Sequence, residues 1–199
     1  TLVPENRRLA YDMRAVLEGL FDCDSLLELR TGFAPAMITA LARIEGQPVG
    51  VIANQPKHRA GALDSAAADK ASRFMQLCDA FDVPLVFLCD TPGIMVGPEA
   101  EATALVRHAA RMFVTAASLS VPFYTIVVRR AYGLGAMAMA GGSLKAPLFT
   151  VAWPTAEFGA MGLEGAVQLG FRKELEAIAD PQQRQAQFDA MVAKMVERG

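Results

Sequence analysis

The stretch of this chain best suited to chemistry is Arg129–Gly142, RRAYGLGAMAMAGG. It follows an apolar, β-branched run at Phe123–Val128 (FYTIVV) and leads into Ala136–Ala140, which reads as helix. A glycine turn that feeds a helix leaves backbone N–H groups without partners at the helix start. Those donors, with the helix dipole, suit a developing negative charge. The chain therefore carries a candidate oxyanion hole in this turn. No acid, base or nucleophile stands beside it in sequence. The pattern points to chemistry done by a cofactor and stabilised by backbone amides. Glycines here also serve close packing of helix on strand, and the residues alone leave both roles open.

A second turn, Asp90-Thr91-Pro92-Gly93-Ile94-Met95-Val96-Gly97-Pro98, follows the apolar run Leu85–Cys89 (LVFLC). Parallel α/β sheets bind ligands beyond the carboxyl ends of their strands. The two glycine-containing exits, after Cys89 and after Val128, could thus face one pocket. The bland reading is a strand-to-helix turn with Pro and Gly chosen for geometry. Lys57, His58 and Arg59 follow the run Val49–Ala53 (VGVIA) and could hold an anionic group, although a solvated basic loop is the commoner outcome.

Several familiar motifs fail. Gly133–Ala138 matches GxGxxA, but a dinucleotide turn belongs in the first βαβ unit directly after its strand, and Arg129–Tyr132 intervene. No GxxxxGK[ST] accompanies Asp90-Thr91-Pro92-Gly93, which argues against a GTPase loop. His58 and His108 lack a Ser or Cys partner at triad spacing, and two histidines without paired Cys or carboxylates make no metal site. His108, between Arg107 and Arg111, reads as a surface residue.

The elements that must carry these turns follow from periodicity. Strand starts at positions 49, 85 and 123 stand 36 and 38 residues apart. Helical stripes lie between them. Ser65–Phe81 places Ala71, Phe74, Met75, Cys78 and Phe81 on one face, with Ser65 as its cap. Glu99–Ser118 does the same with Leu105, Ala109, Met112, Phe113 and Ala116. A βαβαβ order implies a parallel sheet with right-handed crossovers. A further strand is expected at Phe149–Ala152. Asn6–Phe21 reads as a helix with Leu9, Met13, Val16, Leu17 and Leu20 inward. Leu26–Leu29 and Ile38–Ile44 read as strands, the latter in a hairpin with Val49–Ala53 across Glu45–Pro48. Thr155 is a candidate cap for a helix over Glu157–Arg172, on which Gly159, Gly162 and Gly165 line one face. A last helix is expected over Pro181–Arg198.

The 199 residues are 53% hydrophobic and 20% charged, with net charge -2. That supports one sizeable core in a single domain over 1–199, and nothing suggests a nucleic-acid or membrane-surface partner. Cys23, Cys78 and Cys89 form no CxxC pair, and the latter two read as buried thiols. This usage, with no signal-like start and no membrane-length apolar run, sets the expectation of a reducing cytoplasm.

Taken together, Tyr11-Asp12-Met13, the run GQPVGVIANQP over 46–56, Ala60-Gly61-Ala62-Leu63-Asp64, Lys70-Ala71-Ser72-Arg73-Phe74, Cys78-Asp79-Ala80-Phe81, Asp90-Thr91-Pro92-Gly93 and the segments Ala152–Ala156 and Met161–Val167 cover nearly the whole chain in order. They resemble the C-terminal half of the carboxyltransferase (β) subunit of biotin-dependent acyl-CoA carboxylases, of the propionyl-CoA carboxylase β type. The resemblance implies an α/β, crotonase-like (ClpP/crotonase) fold, a β-β-α superhelix with a mainly parallel sheet and flanking helices. It implies transfer of a carboxyl group from carboxybiotin, borne on a carrier protein, to the α-carbon of an acyl-CoA. In the reaction the resemblance implies, carboxybiotin would release CO2, the ureido enolate would take the α-proton of the thioester, and the thioester enolate would attack CO2. The amides of Gly135 and Ala136 would hold the biotin ureido oxygen. Thr91, Pro92, Gly93 and Ile94, with Tyr132 and Gly133, would flank the biotin. Ala138 stands where several members have an Asp lining the acyl pocket, and Ile94 where Phe is common, which leaves the acyl group open.

The implied partners are the biotin carboxyl carrier and biotin carboxylase subunit, the acyl-CoA, the N-terminal carboxyltransferase half that carries the thioester oxyanion hole, and further copies of the chain in a homo-oligomer. Neither that half nor the family's last segment is matched here. Two other readings share the fold: the carboxyltransferase of a biotin-dependent acyl-CoA decarboxylase, and a non-catalytic assembly module.

Overall fold

All seven residues of the strand Leu85–Thr91 are buried, which is what a continuous apolar run at the centre of a covered parallel sheet requires. The computed structural model in which it lies describes residues 2–4, 6 and 9–196. The chain forms two compact units, Thr1–Phe158 and Gly159–Gly199, with no linker composition between them.

The first unit opens with α1 (Met13–Leu20), then β1 (Leu27–Leu29), β2 (Met37–Ile44) and β3 (Gln47–Asn54). A 3-10 turn (Arg59–Gly61) and α2 (Ser65–Ala80) lead to β4 (Leu85–Thr91). Next come α3 (Pro98–Glu101), α4 (Leu105–Ala116), β5 (Phe123–Tyr132), α5 (Gly133–Ala138) and β6 (Phe149–Ala152). The sheet order is β1-β2-β3-β4-β5-β6, and β7 (Glu157–Gly159) pairs with β5 off this path. β2 runs antiparallel to both β1 and β3, with Ile44 opposite Gln47 across a two-residue turn. β3 through β6 are parallel.

Alternation sorts the side chains into two apolar layers. Ile52, Leu85, Phe87, Cys89 and Val127 point into one layer, beneath α2, α4 and α5. Val51, Ala53, Val86, Leu88 and Val128 point into the other, against Met13, Val16 and Leu17 of α1. Lys70 of α2 is buried, and its Nζ donates to the carbonyls of Phe33 (2.8 Å) and Met37 (2.7 Å).

Several boundaries differ from the sequence expectations for local physical reasons. The first helix begins at Met13, not Asn6, because Asp12 caps it, accepting from the Arg14 N–H at 3.0 Å. Leu9 lies outside the helix and is exposed, as is Leu20. The cap of α2 is Asp64, accepting from Ala67 N–H at 2.8 Å, while the Ser65 hydroxyl pairs with Thr103 Oγ1. Phe81 sits past the end of α2 and is 72% exposed. The helix expected over Glu99–Ser118 is broken into α3 and α4 at Ala104, which takes a left-handed conformation (φ 55°). Thr103 turns its hydroxyl back onto the Ala100 carbonyl there. β5 runs on to Tyr132, so no gap separates strand from glycine turn. That argument against a dinucleotide site falls, while the turn's place late in the chain still stands against it.

Thr155 caps no helix. Its hydroxyl donates to the Val128 carbonyl at 2.7 Å, and β7 follows. The second unit contains α6 (Leu163–Gly170), α7 (Arg172–Glu176) and α8 (Pro181–Val196). Of the three spaced glycines only Gly165 is helical. Gly159 ends β7 and Gly162 precedes α6, so no common glycine face exists. Arg198 lies outside the described residues. A groove of about 870 Å³ in this unit is lined by Leu169, Arg172, Leu175 and Phe188 among others.

Candidate active site

The parallel sheet sends β4 and β5 out at the same edge, and both candidate turns begin there. Thr91 ends β4 with its hydroxyl facing Gly93. Thr91 Oγ1 accepts from Gly93 N–H and donates to the Gly93 carbonyl, each at 3.1 Å. Leu63 pins the turn from the side, giving its N–H to the Gly93 carbonyl and accepting from Met95 N–H. Thr91 and Gly93 are buried, Ile94 is half-buried and Pro92 is exposed.

α5 starts at once after β5, and its first turn lies against that loop. A Cβ on Gly135 would stand 2.6 Å from the Gly93 carbonyl carbon, closer than real Cβ contacts come. Gly135 is thus required for the backbone-to-backbone approach of α5 and the Thr91–Gly93 turn. The Tyr132 carbonyl lies close by, 3.7 Å from where a Gly93 Cβ would be. Gly135 and Ala136 are buried, and Gly133 is half-buried at the helix start. Ala138 is wholly buried in the apolar layer with Phe87 and Met139. Thr91, Gly93, Tyr132, Gly133, Gly135 and Ala136 therefore converge, with Pro92 and Ile94 at the margin. The side chain of Tyr132 does not cap α5. Its hydroxyl pairs with Glu157 Oε2 at 2.6 Å.

Beneath both turns lies a polar cluster that sequence reasoning missed. Asp90 is completely buried. Its Oδ2 accepts from the Tyr11 hydroxyl (2.8 Å) and Arg129 Nε (3.0 Å). Its Oδ1 accepts from Arg130 Nε (2.7 Å) and Arg130 N–H (3.3 Å). The Arg129 guanidinium also lies 4.8 Å above the Tyr11 ring. Burial, and then the Asp90 charge, push the Tyr11 hydroxyl far above the usual phenol range, so it remains a donor. Asn54 adds a further tie, accepting from Asp90 N–H and donating to the Gly61 carbonyl. Gly61 has φ +83°, and a Cβ there would stand 2.3 Å from the Asp90 carbonyl oxygen, so only glycine fits. The signal in the sequence was faint: an acid at the end of one buried strand and two arginines at the end of the next.

The remaining candidates take ordinary partners. Lys57 pairs with Asp12 at 3.1 Å and Arg59 with Asp64 at 3.7 Å, which accounts for two of the three basic loop residues. His108 bridges α4 to α2 through Asp69 at 2.8 Å, and is half-buried rather than a free surface residue. Burial pushes the Cys78 thiol up to about 12 and the Cys89 thiol higher still, so neither supplies a thiolate near neutral pH. Among the described residues, no three His, Cys, Asp or Glu side chains group as a metal site would need.

The known proteins to which the chain is similar point to one family. The carboxyl transferase domain family matches residues 1–198. The methylmalonyl-CoA carboxyltransferase 12S subunit of Propionibacterium freudenreichii subsp. shermanii is 41% identical over 98% of this chain and 36% of its own length. The methylmalonyl-CoA decarboxylase subunit alpha of Veillonella parvula is 39% identical over 100% of the chain and 39% of its own length. Among solved structures, a single-chain, multi-domain long-chain acyl-CoA carboxylase superposes with a TM-score of 0.92 at 52% identity, covering 100% of this chain and 19% of that one. A transcarboxylase 12S structure, described as a hexamer assembly, gives 0.86 at 37%, covering 100% and 37%. The chain spans little more than a third of the curated relatives it matches. Its α/β architecture is that of the crotonase-like carboxyltransferases. From the glycine turns at one sheet edge to the match along nearly its full length, the chain belongs to the carboxyl transferase domain family.

Proposed function

We propose that the chain is the biotin-side half of an acyl-CoA carboxyltransferase that moves a carboxyl group between carboxybiotin and the α-carbon of an acyl-CoA. The observation that carries this reading is the first turn of α5. It stands at the carboxyl edge of a parallel sheet, where it faces the Thr91–Gly93 turn; like α3, α4, α6 and α7, and unlike α1 and α2, it has no side-chain cap. Such a turn offers backbone N–H groups to an anionic oxygen.

The donor set fits a flat, neutral ring that bears one oxygen on which negative charge develops. Bound carboxybiotin supplies the activated carboxyl group. The chain's own part is to bind, orient and shield. The amides of Gly135 and Ala136 hold the ureido oxygen, and the turn over Thr91–Ile94 and Tyr132-Gly133 flank the ring. Donors fixed by the Gly93–Gly135 contact need no reorganisation as charge appears, which is the source of their effect on rate. No side-chain base is required of the chain, in keeping with the raised Cys78 and Cys89 and the paired His108.

The test is carboxyl transfer by the complete native protein, from a carboxylated biotin carrier to a panel of acyl-CoAs and in reverse from the carboxylated products. Transfer in at least one direction is expected. Its absence with every acyl-CoA, in protein shown to be folded, overturns the reading and favours a non-catalytic assembly role. The balance between the two directions separates a carboxylase from a decarboxylase.

A further inference from the structure

The register of β4 against β5 slips at one place. Cys89 pairs with Val127, but the next pair is Thr91 with Ala131. A single residue, Asp90, therefore faces the stretch 128–130 of β5. On a regular strand, consecutive side chains point to opposite faces. Here Arg129 and Arg130 both reach the same carboxylate, Arg129 through Oδ2 and Arg130 through Oδ1. The irregularity is what permits this, as bulges commonly re-aim side chains.

The cluster reaches further. Arg129 Nη1 donates to the Leu9 carbonyl at 3.0 Å, and Arg130 Nη2 to the Ala60 carbonyl at 2.8 Å. One buried carboxylate thus ties together the segment before α1, the 3-10 turn, the exit of β4 and the end of β5. Asp90 immediately precedes the turn that holds Gly93, and Arg130 lies three residues before Gly133. The fastening sits just where the two strands part to form the candidate site.

Two cations and one anion are costly to bury, and apolar residues of similar volume often stabilise a core as well or better. What apolar packing cannot do is fix directions by a planar, forked set of donors. The geometry points to Asp90, with Arg129 and Arg130, as a positioning group that sets the gap between the Thr91–Gly93 turn and the first turn of α5. It touches no reacting atom. This inference rests on the proposed carboxyl transfer for its kinetic part only.

The test uses Arg130→Lys in the complete native protein. Lysine keeps the charge but cannot reach both Asp90 and the Ala60 carbonyl with fixed planar geometry. Two readouts are taken. In hydrogen exchange, amides within 91–94 and 133–136 should exchange faster than in the unmodified protein, while those of β3 keep their protection. In kinetics, kcat should fall by up to about 100-fold, the scale that goes with a misplacement of roughly 1 Å. KM for the acyl-CoA should stay within about twofold, since the loss concerns orientation rather than uniform binding. A purely structural role predicts lower stability with unchanged exchange in these two segments and unchanged kcat of the folded protein, and that result overturns the inference. If Arg130→Lys does not fold, Tyr11→Phe takes its place. It removes one donor from Asp90, leaves the ring under Arg129, and is subject to the same exchange criterion. Should the unmodified protein transfer no carboxyl group, the proposed function fails, and the exchange data still decide the positioning role.

Discussion

On the proposed function Gly135 bears two duties that sequence could not separate. It stands in the first turn of α5, where its amide would serve an oxyanion, and its missing Cβ lets that turn touch the Gly93 backbone. The second duty makes even Gly135→Ala disruptive. In the complete protein, carboxyl transfer by Gly135→Ala is expected to fall by about two to three powers of ten, the usual cost of losing one preorganised donor. Ala136→Ser keeps its amide in place and should be much milder. Rates near normal in folded Gly135→Ala, measured as decarboxylation of a malonyl-type CoA, would show that the ureido oxygen is held elsewhere. Both glycine turns were legible because Gly and Pro after an apolar strand have few other uses. The cluster of Asp90, Arg129, Arg130 and Tyr11 was not. Its assembly depends on a register slip and on residues 79 positions apart meeting, which no local pattern records.

Among the elements, the strands were well marked: Leu85–Cys89 is apolar because a buried parallel strand must be apolar on both faces, and Phe149–Ala152, read by the same rule, is a strand but stands last in the sheet order with Phe149 and Val151 exposed. Helix ends were less legible, because they depend on which neighbouring polar residue wins the cap. Asp64 won over Ser65. Asp64→Ala should therefore cost about 1 kcal/mol in urea unfolding, with Ser65→Ala costing clearly less. Equal costs would return the cap to Ser65. Asp12 offers a second check. Burial alone would raise its pKa, but hydrogen bonds from Gln55, the Arg14 N–H and Lys57 outweigh this and hold it at about 2. A carboxyl lowered on folding contributes stability that is complete above its unfolded pKa and is lost as pH falls through the folded one. The unfolding midpoint should thus drop between about pH 4 and pH 2, and Asp12→Asn should flatten that drop. Parallel profiles for the two proteins would contradict the assignment. The break at Ala104 had no warning in the apolar stripe, because a single left-handed residue leaves the inward positions of α4 intact.

For the molecule as a whole, composition and spacing conveyed the class and the parallel centre, whereas the make-up of the second unit was misread. Three glycines at regular spacing suggested one helical face, yet they fall into a strand, a helix start and a helix. Among the described residues of that unit, only Val167 and Leu175 are buried hydrophobics, while Leu169 and Phe171 are exposed. So thin a core is marginal by itself. In light scattering at micromolar concentration the protein is expected as a dimer or larger, and a uniform monomer would count against that. The chain's span of little more than a third of its relatives supports one further expectation. The purified 199 residues should not carboxylate acyl-CoA alone, even when given carboxybiotin, and measured turnover would refute this.

The strands β1 to β6 stand side by side in the order in which they occur along the chain. During synthesis each strand therefore emerges next to a partner already made. The hairpin of β2 and β3 closes a short loop and forms first, since local contacts cost least in chain entropy. β4 then docks through α2, and β5 through α4. Growth of the sheet is vectorial, and the edge awaiting its next strand is always the youngest. The carboxylate of Asp90 reaches this edge before either of its arginines has left the ribosome. Its pairing is deferred until β5 arrives, so in vectorial synthesis the fastening of the site is expected to follow, rather than seed, the sheet of β2 to β4.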